Sequence, residues 1–300
     1  MKNNNFLTLL DISKIDLKNL ILRAIELKKM IKQGVVYTPL QNKTLALIFD
    51  KSSTRTRVSF EVGMSHFGGN TLFLSHRDTQ LGRGEPIEDT AKVISSMVDC
   101  IVIRTHEHND VLKFCSKSSV PVINGLTELV HPCQLLADMM TFIELKGDIK
   151  GKKVAWIGDS NNMCNSYINA SKQFDFNLSI ATPKNFKPSL YNEKDNILLT
   201  DDPEIAVKNA DLIVTDVWVS MGQEEEEEER KKIFKPLQVN NAIMNLANKD
   251  AIFMHCMPAH RDEEVTSDVL DSKSSVIWQE AENRLHAQKA LLEYLLVKNN

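Results

Sequence analysis

Short apolar runs recur along this chain, and longer segments with helical periodicity separate them. The runs are Leu45–Phe49, Thr71–Leu74, Cys100–Ile103, Val120–Ile123, Val154–Ile157, Leu178–Ala181, Leu212–Thr215, Ile252–His255 and Val276–Trp278. They are continuous rather than alternating, as strands buried on both faces must be. Helical spacing covers Leu17–Lys32, Thr56–Phe67, Ile87–Met97, Pro132–Lys146 and Asn165–Phe174, and a last helix covers Glu280–Val297. Strand followed by helix, repeated this often, restricts the fold to parallel sheets with right-handed crossovers. The expected class is α/β: two doubly wound domains, each a central, mostly parallel sheet flanked by helices, linked by long helices.

A chain of 300 residues suits two domains rather than one small core. The polar, glycine-punctuated turn Gly147–Lys152 marks the boundary between them. Asp202-Pro203-Glu204 reads as a helix start, with an N-cap, a proline at N1 and an acid in the first turn. The six glutamates Glu224–Glu229 read as a solvated loop or an exposed helix start. A net charge of −4 gives no global field for nucleic acid or an anionic membrane, so any anion site is local. The five cysteines form no CxxC pair; they suit a reducing compartment and offer neither a disulfide framework nor a thiolate zinc site. The N-terminal residues lack a signal-peptide h-region, and no apolar run approaches the ~20 residues of a membrane span. The expected location is the cytoplasm.

Five segments carry candidate chemistry. Ser53-Thr54-Arg55-Thr56-Arg57 follows an apolar strand and opens a helical pattern. Unpaired backbone N–H groups and the positive end of the dipole favour an anion there, and arginine adds a fork matched to phosphate oxygens. The plainer alternative is a capping loop with surface arginines. His131-Pro132-Cys133-Gln134 opens a helix just after a strand, where two side chains can aim donors at a carbonyl oxygen. Gly158-Asp159-Ser160-Asn161-Asn162 sits at a strand-to-helix crossover but lacks the glycine pattern of a dinucleotide site. Asp216–Gln223 follows a strand at a position where doubly wound sheets present ligand groups. Finally, His255-Cys256-Met257-Pro258-Ala259-His260-Arg261 crowds an imidazole, a thiol and a guanidinium behind an apolar run. Its spacing suits a metal poorly, and a nucleophilic Cys256 would need a paired base.

Taken in order, these segments resemble the transcarbamoylase family over nearly the whole chain. The Ser-Thr-Arg-Thr-Arg and His-Pro-x-Gln segments are common to the family; Asp216–Gly222 and His255–Arg261 are similar to its ornithine branch. The resemblance implies a carbamoyl phosphate domain over residues 1–147, completed by a helix at 285–300, and an ornithine domain over 148–284. It implies carbamoyl phosphate held by Ser53, Thr54, Arg55, Thr56, Gln80, Arg104, His131, Gln134, Cys256, Met257 and Arg284. Ornithine would be held by Asn162, Asp216, Ser220 and Met221, with Asp216 on the α-ammonium and Asn162 on the carboxylate. The Met257–Pro258 bond would be cis. A homotrimer is implied, without metal, cofactor, nucleic acid or membrane partner. Two features depart from the family pattern: the run Glu224–Glu229, and Met257 where leucine is usual.

The reaction so implied is attack of the ornithine side-chain amine on the carbamoyl carbon, giving citrulline and phosphate. Arg55, Arg104, His131 and Cys256 would be its catalytic residues. Arg55 and His131, with the Thr56 hydroxyl, would face the developing oxyanion. The amine must be neutral, against an ordinary pKa of roughly 10.4. Cys256 then reads as a polar neighbour of that amine rather than a covalent nucleophile. Rival readings are another amine acceptor such as putrescine or an N-acylated ornithine, a non-catalytic anion-binding protein, and a dehydrogenase.

Overall fold

The computed structural model describes residues 5–51, 53–75, 84–219 and 224–297. The described residues up to Met140 and from Glu282 onward form one compact unit, and Thr141–Ala281 form another. Each division falls inside a long helix.

In the first unit, helix α1 (Lys14–Lys32) leads to strand β1 (Thr44–Phe49), α2 (Thr54–His66), β2 (Asn70–Ser75) and α3 (Ile87–Ser95). Then come β3 (Cys100–Arg104), α4 (His108–Lys117), β4 (Val122–Leu126) and α5 (Pro132–Lys146). Ser13 caps α1 by accepting from the Asp16 N–H, and Leu17, Leu20, Ile21, Ala24 and Leu27 form its buried stripe. The four strands are all parallel in the order β2-β1-β3-β4. β1 and β3 are central and buried throughout except at Thr44, which explains their unbroken apolar sequences. Ala91 of α3, and Val111 and Phe114 of α4, pack with Ala46, Ile48, Ile101 and Ile103 on one sheet face.

The second unit continues with β5 (Lys153–Ile157), α6 (Asn162–Phe174), β6 (Asn177–Ala181), β7 (Ile197–Thr200), α7 (Pro203–Val207) and β8 (Leu212–Thr215). It ends with α8 (Glu227–Phe234), α9 (Asn241–Met244), β9 (Ile252–His255), α10 (Ser267–Leu270) and α11 (Ile277–Leu296), whose C-terminal part belongs to the first unit. Its five parallel strands run β7-β6-β5-β8-β9. Ile157, Ile213 and Phe253 of the sheet meet Val207, Trp218, Phe234, Val265 and Val269 in its core.

Both sheets are doubly wound, as the sequence implies. The strand order reverses between β1 and β3 in one unit and between β5 and β8 in the other. Ligands of such sheets bind beyond the carboxyl ends of the strands at these switch points.

The run Val276–Trp278 is not a strand. Val276 donates one backbone bond to Phe253 O at 3.0 Å, and its own carbonyl then accepts from Glu280 to start α11. Three apolar residues suit one rung of pairing or one helical turn equally, and the long amphipathic helix decides. Strand β7 and helix α4 lie outside the sequence expectation. Asp202 caps α7 as anticipated, its Oδ1 accepting from Glu204 N at 2.9 Å. Glu224–Glu226 form a short 3-10 turn and Glu227–Glu229 the first turn of α8, where acids complement the helix dipole. Among the described residues, no helix is long and apolar enough to cross a membrane.

Candidate active site

In the first unit the candidate residues gather around the β1/β3 switch point. The chain leaves β1 and begins α2, where Ser53 is the N-cap and its Oγ accepts from Thr56 N at 3.4 Å. Thr54 is exposed, Arg55 half-buried and Thr56 buried. Arg57 instead pairs with Glu61 at 3.0 Å and lies over the Phe73 ring at 3.7 Å, so its charge serves the helix surface. Arg104 ends β3 directly after a register shift between Ile103 and Arg104 against β4. A bulge there re-aims the last side chain of the strand. Gly125 allows the close approach, since a Cβ at that position would lie 3.1 Å from Ile103 O.

His131 and Gln134 open α5 beyond the end of β4, and both are buried. Arg284 reaches them from α11. Its Nη1 donates to Gln134 Oε1 at 2.6 Å and its Nη2 to Thr56 Oγ1 at 3.2 Å. Burial, then the charges of Arg284, Arg104 and Arg55, hold His131 well below the usual histidine range. The imidazole is therefore neutral at physiological pH, able to donate from one nitrogen and accept at the other. Three guanidiniums bearing on one buried imidazole form a local concentration of positive charge in a chain of net charge −4. A phosphate dianion is the kind of ligand that offsets it.

In the second unit the candidates flank the β5/β8 switch point. Gly158 turns the chain off β5 at φ +130, where a Cβ would meet Thr215 Oγ1 at 3.2 Å. Asn161 caps α6 through Oδ1, which accepts from Met163 N at 2.9 Å and Cys164 N at 3.2 Å. Its Nδ2 donates to Asp216 Oδ2 at 2.7 Å. Asn162, the residue implied for ornithine, is half-buried at the first position of α6. Asp216 follows β8, and its Oδ1 accepts from Val217 N at 2.9 Å and from Cys256 Sγ at 3.2 Å.

Behind Cys256, a buried carboxylate fixes the turn. Glu264 Oε1 accepts from His255 Nε2 at 3.0 Å and from His260 N at 2.6 Å, while His255 Nδ1 accepts from Met257 N at 3.0 Å. The bonds assign the proton to Nε2. The Met257–Pro258 peptide is cis, as the resemblance implies. Asp216, His255 and Cys256 place a carboxylate, an imidazole and a thiol within 4.8 Å of one another, a set of atoms a metal can use. Both His255 ring nitrogens are already engaged by Glu264 and Met257, which accounts for the cluster by protein bonds alone.

One further group supports this region. Arg230 of α8 pairs with Asp159 at 2.6 Å and donates through Nε to Trp218 O at 2.7 Å. It thus ties α8 to the segment carrying Asp216. Burial pushes the Asp159 carboxyl up to about 6; Arg230 opposes the shift and Asp216 adds to it. Sequence reasoning missed Asn161 as the partner of Asp216, Glu264 as the partner of His255, and Arg230 as the partner of Asp159. The available signals were the N-cap position of Asn161 and the lone arginine ending the glutamate run. Gln80, Ser220 and Met221 lie outside the described residues.

Fold and sites together define a doubly wound α/β protein with a cationic cluster in one unit and a carboxylate–thiol–amide cluster in the other. Residues 4–144 match the carbamoyl-P binding domain of aspartate/ornithine carbamoyltransferase, and residues 150–295 match its Asp/Orn binding domain. The chain belongs to the aspartate/ornithine carbamoyltransferase family. It is 61% identical to the ornithine carbamoyltransferase of Hydrogenovibrio crunogenus, across 99% of this chain and 100% of that one. The crystal structure of ornithine carbamoyltransferase from Pyrococcus furiosus superposes with a TM-score of 0.94 at 47% identity, covering 99% and 98% of the two chains. The anabolic enzyme of Campylobacter jejuni gives 0.91 at 45% identity, with 97% and 98% covered.

Proposed function

We propose that the protein is an ornithine carbamoyltransferase. It transfers the carbamoyl group of carbamoyl phosphate to the side-chain amine of L-ornithine, giving L-citrulline and phosphate. The observation that carries the reading is the bearing of Arg55, Arg104 and Arg284 on the buried, neutral His131, in a unit whose family description names carbamoyl phosphate.

Carbamoyl phosphate is assigned to Ser53, Thr54, Arg55, Thr56, Gln80, Arg104, His131, Gln134 and Arg284, with Cys256 and Met257 as further contacts. The α2 N-terminus and the guanidiniums bind the phosphate oxygens. As the amine attacks, negative charge grows on the carbonyl oxygen. Arg55 and a neutral His131 supply fixed donors to it, and these cost no reorganisation at the moment of reaction. The C–O bond to phosphate then breaks, and phosphate leaves with the electron pair.

Ornithine is assigned to Asn162, Asp216, Ser220 and Met221. Asp216, held by Asn161, Val217 and Cys256, offers a fixed carboxylate to the α-ammonium. The attacking amine must shed its proton, and a partly desolvated site favours its neutral form. Cys256 is a polar neighbour of that amine, and the departing phosphate can take the proton. The reading extends to a homotrimer in the cytoplasm, acting in arginine biosynthesis. Exposed Val58 on α2 and Leu72 on the edge strand β2 are apolar surfaces that suit assembly, and the five free thiols suit a reducing compartment.

A panel of acceptors tests the substrate. Carbamoylation of ornithine at rates well above those with putrescine and N-acetylornithine is the expected result. Preference for either of the other two amines rejects ornithine as the acceptor.

A further inference from the structure

The Gln134 amide can face either way round, and the group it presents to Arg284 depends on its orientation. Its oxygen accepts from Arg284 Nη1 at 2.6 Å, while its Nε2 donates to Asp138 Oδ1 at 2.9 Å. Asp138 lies one helical turn further along α5 and is fully buried. The Asp138 oxygen accepts from the NH2 end of the amide, which leaves the amide oxygen for the guanidinium.

On the other side of Arg284, the Gln288 amide, with its oxygen facing the guanidinium, accepts from Nη2 at 2.8 Å and Nε at 3.2 Å. The amide nitrogen of Gln288 then donates to Ser59 Oγ, and Ser59 Oγ donates to Arg55 O at 2.6 Å. Ser59, Gln288, Arg284, Gln134 and Asp138 thus form one buried hydrogen-bonded chain from the first turns of α2, through α11, to α5. Arg284 donates outward at both edges, to the Gln288 and Gln134 amide oxygens, and each amide donates onward, which fixes the plane of the guanidinium.

We propose that Asp138 and Gln288 are positioning residues for carbamoyl phosphate: they act through Arg284 and Gln134, setting the pose in which these two meet the substrate. The inference rests on the reading of the first unit as the carbamoyl phosphate site. Asp138→Asn keeps the shape of the side chain but can offer an NH2 toward Gln134, which lets the Gln134 amide turn over and face Arg284 donor to donor. Gln288→Met keeps the bulk but removes the acceptor for two guanidinium N–H groups.

The test is steady-state kinetics on the full chain, with citrulline as the readout and a melting curve for each variant. Each substitution should raise KM for carbamoyl phosphate about tenfold, the usual scale for a lost bond to a charged group, and leave KM for ornithine near its wild-type value. In an Arg284→Lys background, Gln288→Met should add little, because its partner is already altered. If Asp138→Asn does not fold, Gln288→Met and its double mutant decide. Wild-type kinetics in both variants overturn the proposal, as does an equal rise in both KM values. Full additivity of Gln288→Met with Arg284→Lys overturns it too. A wild-type chain that forms no citrulline rejects the functional reading itself, an outcome distinct from active wild type with unaffected variants.

Discussion

Replacing Asp216 with asparagine removes a charge while keeping the shape, and the hydrogen bonds around it set the cost. The carboxylate accepts from three donors: Val217 N and Cys256 Sγ on one oxygen, Asn161 Nδ2 on the other. An amide offers one oxygen and one NH2, so at least one of these donors must face another donor. Asn161 cannot turn its own oxygen over to compensate, because Oδ1 caps α6 through Met163 N and Cys164 N. Asp216 is 7% exposed, so water does not replace the lost bond. The α-ammonium of ornithine also loses a charged partner. Together these changes weaken ornithine binding by about 3 kcal/mol, roughly a hundredfold in KM. The KM for carbamoyl phosphate should move by less than about threefold, since the lost charge pairs with ornithine and only the Cys256 contact is shared. The assay is initial-rate citrulline formation with one substrate varied and the other saturating. Equal rises in both KM values would refute the division of roles between the two units.

Arg55→Ala should lower kcat by about 10²–10³ through loss of an oxyanion donor, and near-normal citrulline formation would reject that role. His286, near Lys28 and Lys289, has its pKa lowered from 6.5 to about 4, chiefly by burial. The unfolded chain therefore binds the proton more tightly, and stability falls as pH drops from about 6.5 toward about 4. His286→Gln should lose less in Tm between pH 7 and pH 5 than wild type; equal losses contradict the assignment. Arg230→Met leaves the Asp159 carboxylate buried without its cation and should destabilise by about 3–5 kcal/mol in urea unfolding. The loss should be greater at pH 8 than at pH 6, where the orphaned carboxyl takes up a proton, and an unchanged midpoint refutes the pairing.

The parts of the fold that sequence revealed are those written in local pattern. β1, β3, β8 and β9 are covered on both faces and read as unbroken apolar runs. β7 is an edge strand with only half-buried or exposed positions, so no burial pressure marks its sequence. Val276–Trp278 carried an apolar signal too short to separate a strand from a helix start. The candidate site was legible where chemically distinctive residues cluster at strand-to-helix junctions, as at Arg55, His131, Asp216 and Cys256. Their partners were not. Asn161 reaches Asp216 across 55 residues of chain, and Arg284 reaches Gln134 across 150. Such pairs follow from the crossover topology, and no local spacing encodes them. Asp138 and Glu264 were silent for the same reason: a buried carboxylate is recognised by the groups it touches.

The carbamoyl transfer can be followed in a single assay of both products. Purified protein mixed with L-ornithine and carbamoyl phosphate should form citrulline and release phosphate in equal amounts, with no added metal or cofactor. Omitting either substrate should abolish citrulline formation, and Arg55→Ala should all but remove it. Phosphate release without citrulline would rule out carbamoyl transfer to ornithine, and citrulline formation undiminished in Arg55→Ala would rule out the role given to Arg55.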